Sequence, residues 1–197
     1  MKLGRWALVG PLAMALAAVT LEAQTPAPGE KTEAEWNAQK VEAKRSQIDA
    51  TAGAALDKLL KENANAKELY DKAYGWAAFD NLKLGFFFSG GGGKGVAVDK
   101  KTSKRTYMDM GSAGFGLAFG GKKYEVVFLF QTKAAFDAFV DKGWQAQGSA
   151  SGTAGTAQGG AQTAFVNGMA IYQIGSAGLM ANVDLTGSKY FKSKDLN

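Results

Sequence analysis

The stretch that most suggests chemistry is residues 90–95, which read GGGGKG. Glycine-rich loops that contain a lysine often bind phosphate groups, but a P-loop needs Ser or Thr directly after the lysine and then a helix. Here Gly95 follows Lys94, and the residues after them predict a strand. The dinucleotide-binding fingerprint fails for the same reason, and the kinase motifs HRD and DFG do not occur. We therefore expect no nucleotide ligand at this stretch.

Two missing residue types exclude most catalytic templates. The chain contains no histidine and no cysteine. It therefore lacks the commonest general base, the commonest zinc ligand and every Ser-His-Asp arrangement. The carboxylates are scattered, with no close pair that suggests acid-base catalysis. The sequence thus predicts a protein that is not an enzyme and that holds neither a metal nor a cofactor.

Basic residues near predicted turns leave two interpretations open. Lysines at turns often serve only solubility and the protection of sheet edges. Alternatively they contact anionic lipid headgroups, each contributing about 1 kcal/mol near a charged membrane. The net charge of +5 permits an anionic partner, whereas no nucleic-acid-binding motif is present. The candidate headgroup contacts are Lys94, Lys100, Lys101, Lys104, Arg105, Lys122 and Lys123.

The beginning of the chain predicts export. Lys2 and Arg5 precede an apolar stretch over residues 6–19, and a small residue, Ala23, ends the segment. This order is typical of a secretory signal peptide over residues 1–23, although an uncleaved anchor is the alternative. A cysteine for lipid anchoring is missing, so we expect a periplasmic or envelope-associated protein that is not lipid-anchored. Residues 24–31 are expected to form a linker, and residues 32–197 a single domain.

Helical spacing predicts three helices. Residues 32–63 are rich in Ala, Glu, Lys and Gln, and Thr32 with Glu35 makes a capping box. We expect this helix to pack on the domain, with a membrane-surface helix as the alternative. A short helix is predicted over residues 66–73. A third is predicted over residues 132–142, with Thr132 as its cap and with the inward side chains Phe136, Phe139 and Val140.

The remainder alternates with a period of two, which predicts strands. The predicted strands are residues 74–80, 82–89, 94–100, 104–110, 114–120, 124–131, 144–154, 164–174 and 178–186. For the small-residue tract over residues 144–160, a flexible loop is the alternative, especially beyond Gly155. The first two are expected to join at Asp80-Asn81, and residues 101–103 to form a hairpin turn. We therefore predict an α+β fold. N-terminal helices pack on a strongly curved, mainly antiparallel sheet or small barrel, with one inserted helix, because strands with bare glycine faces allow sharp curvature.

Four glycines are expected to be required by the backbone rather than by a ligand. The GGGGKG stretch is interpreted as the joint between two strands, where the chain bends tightly and packs without side chains. Lys94 is then the part of this stretch that could contact a headgroup. The four glycines are Gly85, Gly92, Gly93 and Gly95.

Several long segments resemble the SYLF lipid-binding domain family, in its bacterial exported branch. They are AYGWAAFDNLKLGFFFSGGGGKGVAVDKKTSKRTYMDMGSAGFGLAFGGKKYEVVFLF, FVDKGWQA, GMAIYQ and GLMANVDLTGSKYFKSKDLN. The resemblance implies non-enzymatic lipid binding, since eukaryotic members bind phosphoinositides and fungal members are also linked to actin. Gly85, Gly92, Gly93 and Gly95 match the glycine pattern of the family.

The expected function is therefore contact with anionic phospholipid, or with a membrane surface, at the bacterial envelope. The alternative is a structural or carrier domain that holds an apolar ligand in a glycine-lined cavity.

Overall fold

The computed structural model describes residues 31–85, 88–115, 120–146, 164–180, 185 and 187–197, and three helices and eight strands lie in these ranges. The helices are α1 (Glu33–Glu62), α2 (Ala64–Lys72) and α3 (Lys133–Asp137), which continues as a π-helix over Ala138–Lys142. The strands are β1 (Gly75–Gly85), β2 (Phe88–Asp99), β3 (Arg105–Phe115), β4 (Gly120–Phe130), β5 (Trp144–Gln145), β6 (Met169–Gly175), β7 (Gly178–Leu179) and β8 (Ser188–Lys192). They form one antiparallel sheet in the order β5-β8-β3-β2-β1-β4-β6-β7.

The sheet is strongly curled. Phe79 on β1 and Tyr190 on β8 lie three strands apart in the sheet order, which would separate them by about 14 Å in a flat sheet. Their ring centroids are nevertheless 4.7 Å apart. The sheet therefore folds around these rings, and we call this side the concave face. The predicted α+β class, with helices on a strongly curved antiparallel sheet, is confirmed.

The long N-terminal helix begins where the sequence predicts it. Thr32 Oγ1 accepts a hydrogen bond from the Glu35 backbone N–H, and the Glu35 carboxylate accepts one from the Thr32 N–H at 2.7 Å. This capping box satisfies two backbone donors that the first turn leaves free. Further along, α1 buries one face against the sheet, on the side opposite the concave face. The buried residues are Ile48, Ala52, Ala55, Leu56 and Leu59.

The concave face holds the aromatic core. Phe128 on β4 contacts both Phe79 and Tyr190, at centroid distances of 5.9 and 5.0 Å. α3 and the π-helix close this core, and Thr132 caps α3 by accepting from the Ala135 N–H. The predicted helix over residues 132–142 is thus confirmed in place, although its second half is a π-helix. Its predicted inward side chains, Phe136, Phe139 and Val140, are buried.

Two sequence-based expectations about the glycine region are wrong. β1 continues through Asp80 and Asn81, so no turn divides it there. Asn81 is 1% exposed, because it faces the concave core instead of solvent. The GGGGKG stretch is likewise no joint, since residues 90–95 lie inside β2 and pair with both β1 and β3. Consecutive glycines keep the extended conformation here because both neighbouring strands hydrogen-bond to them.

Several other strand predictions are confirmed. Asp99 closes the predicted hairpin turn after β2 by accepting from the backbone N–H groups of Lys101 and Thr102 at 2.8 and 3.0 Å. β4 is a central strand between β1 and β6, and its residues 126–130 are fully buried. The strands predicted over residues 164–174 and 178–186 are present in part, as β6 and β7. β6 begins at Met169 and not at residue 164, because Asn167 and Gly168 have positive φ angles and form a turn.

Some predictions fall outside the described residues. These are the signal peptide, most of the linker and most of the strand predicted over 144–154. Residues 86–87 of the strand predicted over 82–89, residues 116–119 of that over 114–120, and residues 181–184 and 186 of that over 178–186 also lie outside. None of the helices in the described ranges combines the length and the apolar character needed to cross a bilayer.

Candidate functional site

Alternate glycines of β2 face opposite sides of the sheet, and those on the concave face have no room for a side chain. A methyl group at Gly91 would lie 2.6 Å from Ser112 Oγ, and one at Gly95 would lie 2.6 Å from Phe79 Cγ. At Gly93 it would lie 2.5 Å from the Asp80 carbonyl oxygen. Side chains and backbone of the neighbouring strands therefore fill the space above these glycines.

The glycines on the helix side of the sheet are open. Among the described residues, a methyl group at Gly90 would have no atom within 4 Å, and one at Gly92 would meet only the Met110 carbonyl oxygen, at 3.7 Å. Gly111 on β3, which pairs with Gly92, has nearly as much room, because an added methyl group would lie 4.0 Å from the Phe191 ring. These glycines leave a strip of sheet backbone uncovered, which we call the bare strip (Gly90, Gly92 and Gly111).

A groove of about 690 Å³ lies between α1 and the sheet, with part of the bare strip in its floor. Helix α1 contributes Lys44, Ile48 and Ala52 to its wall, and the sheet contributes Lys94, Asp109 and Phe191. Phe191 is 42% exposed, so the groove presents apolar surface to solvent. Its size falls within the range of about 300–1,000 Å³ that is usual for small-molecule sites.

Charged residues cross one end of this groove. Asp80, Lys94 and Asp109 are direct neighbours on β1, β2 and β3. Lys94 Nζ lies 2.8 Å from Asp109 Oδ1, and the Lys94 side chain is about half exposed. Together with Lys44, the groove is lined by two cations and two carboxylates, so its charge is balanced.

A second concave region, of about 400 Å³, lies at the start of β3 and is strongly cationic. We call it the cationic cleft, and its basic residues are Arg45, Lys104, Arg105 and Lys192. Arg105 Nε lies 3.3 Å from Asp49 on α1. Within the described ranges, no ion pair involves Lys104 or Lys192, so these two ammonium groups are available to an external anion.

Tyr107 and the last residue fix the walls of the cationic cleft. The Tyr107 hydroxyl donates to Asp49 at 3.1 Å, and the Arg45 guanidinium lies 5.5 Å from the Tyr107 ring centroid. Burial, and then the hydrogen bond to Asp49, raise the pKa of Tyr107. The Asn197 side chain accepts from the Tyr107 N–H and donates to its carbonyl oxygen. The cleft is thus preorganised, since its walls are held before any ligand arrives.

The basic residues predicted from sequence do not form one patch. Lys104 and Arg105 line the cationic cleft, whereas Lys94 lies in the groove. Lys100 instead donates to the Tyr70 carbonyl oxygen at 2.6 Å, and burial lowers its pKa. Lys101 lies over the Tyr74 ring, 5.7 Å from its centroid.

The last two predicted lysines lie far from the cationic cleft, and two basic residues of the cleft were not predicted. Lys122 and Lys123 are exposed on β4, where they pair with Lys83 and Leu82 of β1, away from the hairpin turn after β2. Sequence reasoning missed Arg45 and Lys192. Arg45 stands four residues before Asp49 on one face of a predicted helix, a spacing that places both side chains together but does not identify their partner strand.

Other site types find no support in the described residues. No cluster of three or more Asp or Glu side chains there is arranged to hold a metal ion.

Of the glycines expected to be required by the backbone, Gly93 and Gly95 lie on the filled concave face and Gly92 lies on the open helix side. For Gly85 the structure describes the backbone pairing but not the surroundings of the residue.

Comparison with known proteins supports the resemblance found in the sequence. Residues 111–197 match the Ysc84 family model, described as "Las17-binding protein actin regulator". The chain is also 45% identical over 152 residues to Beta cell expansion factor A of Aeromonas veronii. That alignment covers 77% of this chain and 58% of the relative, so the chain spans less than two thirds of the relative's length.

The resemblance to the SYLF family is thus confirmed. This family is one of binding domains related to lipids and actin, and it is not a known enzyme family. The match to the family model begins at Gly111 and includes β8 with Lys192. The other three basic residues of the cationic cleft precede it.

Proposed function

We propose that this chain binds the anionic headgroups of phospholipids through the cationic cleft, without catalysis. One observation carries the proposal: four basic side chains surround one preorganised cleft of about 400 Å³. In the described part of the chain, the carboxylates paired with them are Asp49, which contacts Arg105, and Glu42, which lies 3.7 Å from Arg45. The cleft thus carries surplus positive charge. The resemblance of the chain to lipid-binding domains supports the same proposal.

The types of basic residue suit a phosphate ligand. An arginine guanidinium presents parallel N–H donors that match two phosphate oxygens, while a lysine acts as a compact point charge. The cleft offers both, with Arg45 and Arg105 beside Lys104 and Lys192. Since exposed charges are screened over about 8 Å at physiological ionic strength, binding should weaken as salt increases.

We further propose that binding takes place at the bacterial envelope after export. The signal-peptide pattern over residues 1–23 and the absence of cysteine support this location. Cell fractionation with an epitope tag at the C-terminus tests it. Recovery of the protein in the cytoplasmic fraction at full precursor mass would contradict export.

Vesicle co-sedimentation tests the cationic cleft. We expect the protein to pellet with phosphatidylglycerol vesicles and to remain in the supernatant with phosphatidylcholine vesicles. The double variant Lys104→Gln/Arg105→Gln should weaken this binding about 30-fold, because two basic residues contribute about 2 kcal/mol at a charged surface.

The chain offers a matched control for that variant. Lys122→Gln/Lys123→Gln removes the same charge from exposed positions outside the cleft, and it should retain most of the binding. Equal losses in both double variants would show that net charge, rather than the cleft, drives binding. Equal pelleting with neutral and anionic vesicles at all salt concentrations would refute the proposal.

A second function, the holding of an apolar ligand, is favoured by the groove beneath α1. Its floor includes bare backbone at Gly92, and its volume of about 690 Å³ suits a small molecule. Such a ligand would bind independently of the cationic cleft. Binding of soluble single-chain lipids separates the two functions.

A further inference from the structure

The bare strip continues beyond the groove as a wider region without bulky side chains. Across β1, β2 and β3, one row of the sheet reads Leu82–Gly92–Gly111, and the next reads Leu84–Gly90–Ala113. In both rows, β2 and β3 present only hydrogen or a methyl group to the helix side. Two adjacent strands therefore leave a channel about 10 Å wide.

Exposed apolar side chains border part of this channel. Leu82 and Leu84 are 40% and 55% exposed on one side. On the other side, the exposed Lys189 of β8 pairs with Gly111. Phe191, which is 42% exposed, pairs with Asp109 one row further along and lies 4.0 Å from where a methyl group at Gly111 would be. Ile48 and Ala52 of α1 lie at its covered end. Exposed apolar groups that converge on one channel indicate a binding surface, because their burial is favourable by about 25 cal/mol per Å².

The charged residues at the covered end of the channel indicate which headgroup a bound acyl chain would carry. Lys44 and Lys94 supply two positive charges, while Asp80 and Asp109 supply two negative ones. A headgroup with a net charge would leave some of these groups without compensation when it displaces water. A headgroup that carries both signs can place its phosphate near the lysines and its amine near the carboxylates.

We propose that the groove binds a single-chain amphiphile with a zwitterionic headgroup. Its acyl chain lies along the bare strip between Leu82 and Phe191, and its headgroup meets the charged row at Lys94. This proposal rests on the second function proposed above, but it is independent of the cationic cleft. The two regions then divide their ligands, since the cleft selects anionic surfaces and the groove takes one neutral lipid molecule.

Calorimetric titration with lysophosphatidylcholine below its critical micelle concentration tests the groove. We expect saturable binding that changes less than twofold between low and high salt. Gly92→Leu should weaken it at least tenfold, because the leucine side chain would occupy the bare strip. Gly53→Leu is the matched control, since Gly53 lies on α1 outside the groove lining and also has no atom within 4 Å of an added methyl group.

A second variant covers the case in which Gly92→Leu does not fold, as judged by its circular dichroism and melting transition. Phe191→Ser changes an exposed wall of the groove, and it should also weaken lysophosphatidylcholine binding at least tenfold. Failure of the wild-type protein to bind this lipid would overturn the proposal. So would unchanged affinity in the folded variants.

The headgroup assignment and the alternative occupants are tested separately. Lysophosphatidylglycerol, which is anionic, should bind more weakly than lysophosphatidylcholine, and the reverse order would overturn the zwitterionic assignment. A concentration-dependent dimer that Gly92→Leu abolishes would assign the groove to a second copy of the chain instead. Lysolipid binding without vesicle binding would leave the groove proposal standing and would refute only the cationic cleft.

Discussion

The two sides of β2 show how one residue type can serve opposite purposes in a single strand. On the concave face, Gly91, Gly93 and Gly95 have no room for a methyl group, because neighbouring strands fill the space above them. On the helix side, Gly90 and Gly92 have room, since no described atom comes closer than 3.7 Å to a methyl group added at either position. Glycine thus permits close packing on one face and leaves a binding surface on the other.

The difference follows from the curvature of the sheet. Curling brings side chains of distant strands together on the concave face, where Phe79 contacts Phe128, Phe139 and Tyr190. Such a core is packed as densely as an organic crystal and gives little room for added atoms. On the opposite, outward face the same curvature spreads the strands' side chains apart, so missing side chains leave open space.

The largest expected effect is that of an added methyl group at Gly95. Gly95→Ala should lower the free energy of unfolding by about 3 kcal/mol, since the methyl group overpacks the core against Phe79 and the β1 backbone. Gly92→Ala, the matched change on the open face, should alter it by less than about 0.5 kcal/mol. Urea unfolding monitored by circular dichroism measures both. Similar stabilities for the two variants would remove the proposed distinction between the faces.

Much of the fold was predictable from local sequence signals. The capping box at Thr32 located the start of α1, and the wholly apolar residues 126–130 identified β4 as a central strand. These signals depend on neighbouring residues along the chain, so one sequence carries them. The filled and open glycines also alternate with a period of two, but the sequence does not show which face of β2 will be covered.

The parts that sequence reasoning missed depend on contacts between distant residues. Asp80-Asn81 was expected to be a turn because both residue types favour turns, yet the concave core buries Asn81. The cationic cleft joins Arg45 of α1, Arg105 of β3 and Lys192 of β8, which are far apart in the chain. Their convergence follows from the strand order, which no local pattern encodes.

An intermediate effect is expected from a polar atom buried in the concave face. The Tyr190 side chain is fully buried, and the described residues offer its hydroxyl no hydrogen-bond partner. Burial accordingly raises the pKa of Tyr190 well above its ordinary value. Tyr190→Phe removes the unpaired hydroxyl while it keeps the ring, so it should stabilise the protein by up to about 1 kcal/mol.

Thermal and urea unfolding of Tyr190→Phe measure this effect. Tyr107→Phe is the contrasting variant, because the Tyr107 hydroxyl donates to Asp49, and its removal should destabilise the protein by about 1 kcal/mol. A destabilised Tyr190→Phe would mean that the hydroxyl has a partner, such as an ordered water, inside the concave core. The concave face would then be less completely filled by side chains than the glycine contacts indicate.

The smallest effect is expected at Lys94, which lies between Gly93 and Gly95 in the chain but faces the open side of the sheet. Its ammonium group contacts Asp109 at 2.8 Å, but the side chain is about half exposed, and such pairs contribute about 0.2–1 kcal/mol. Lys94→Ala should therefore leave folding intact and reduce the free energy of unfolding by less than about 1 kcal/mol. A double-mutant cycle with Asp109→Asn isolates the pair itself. A coupling energy well above 1 kcal/mol would mean that the charged row is part of the packed structure, and the open face would then begin beyond Lys94.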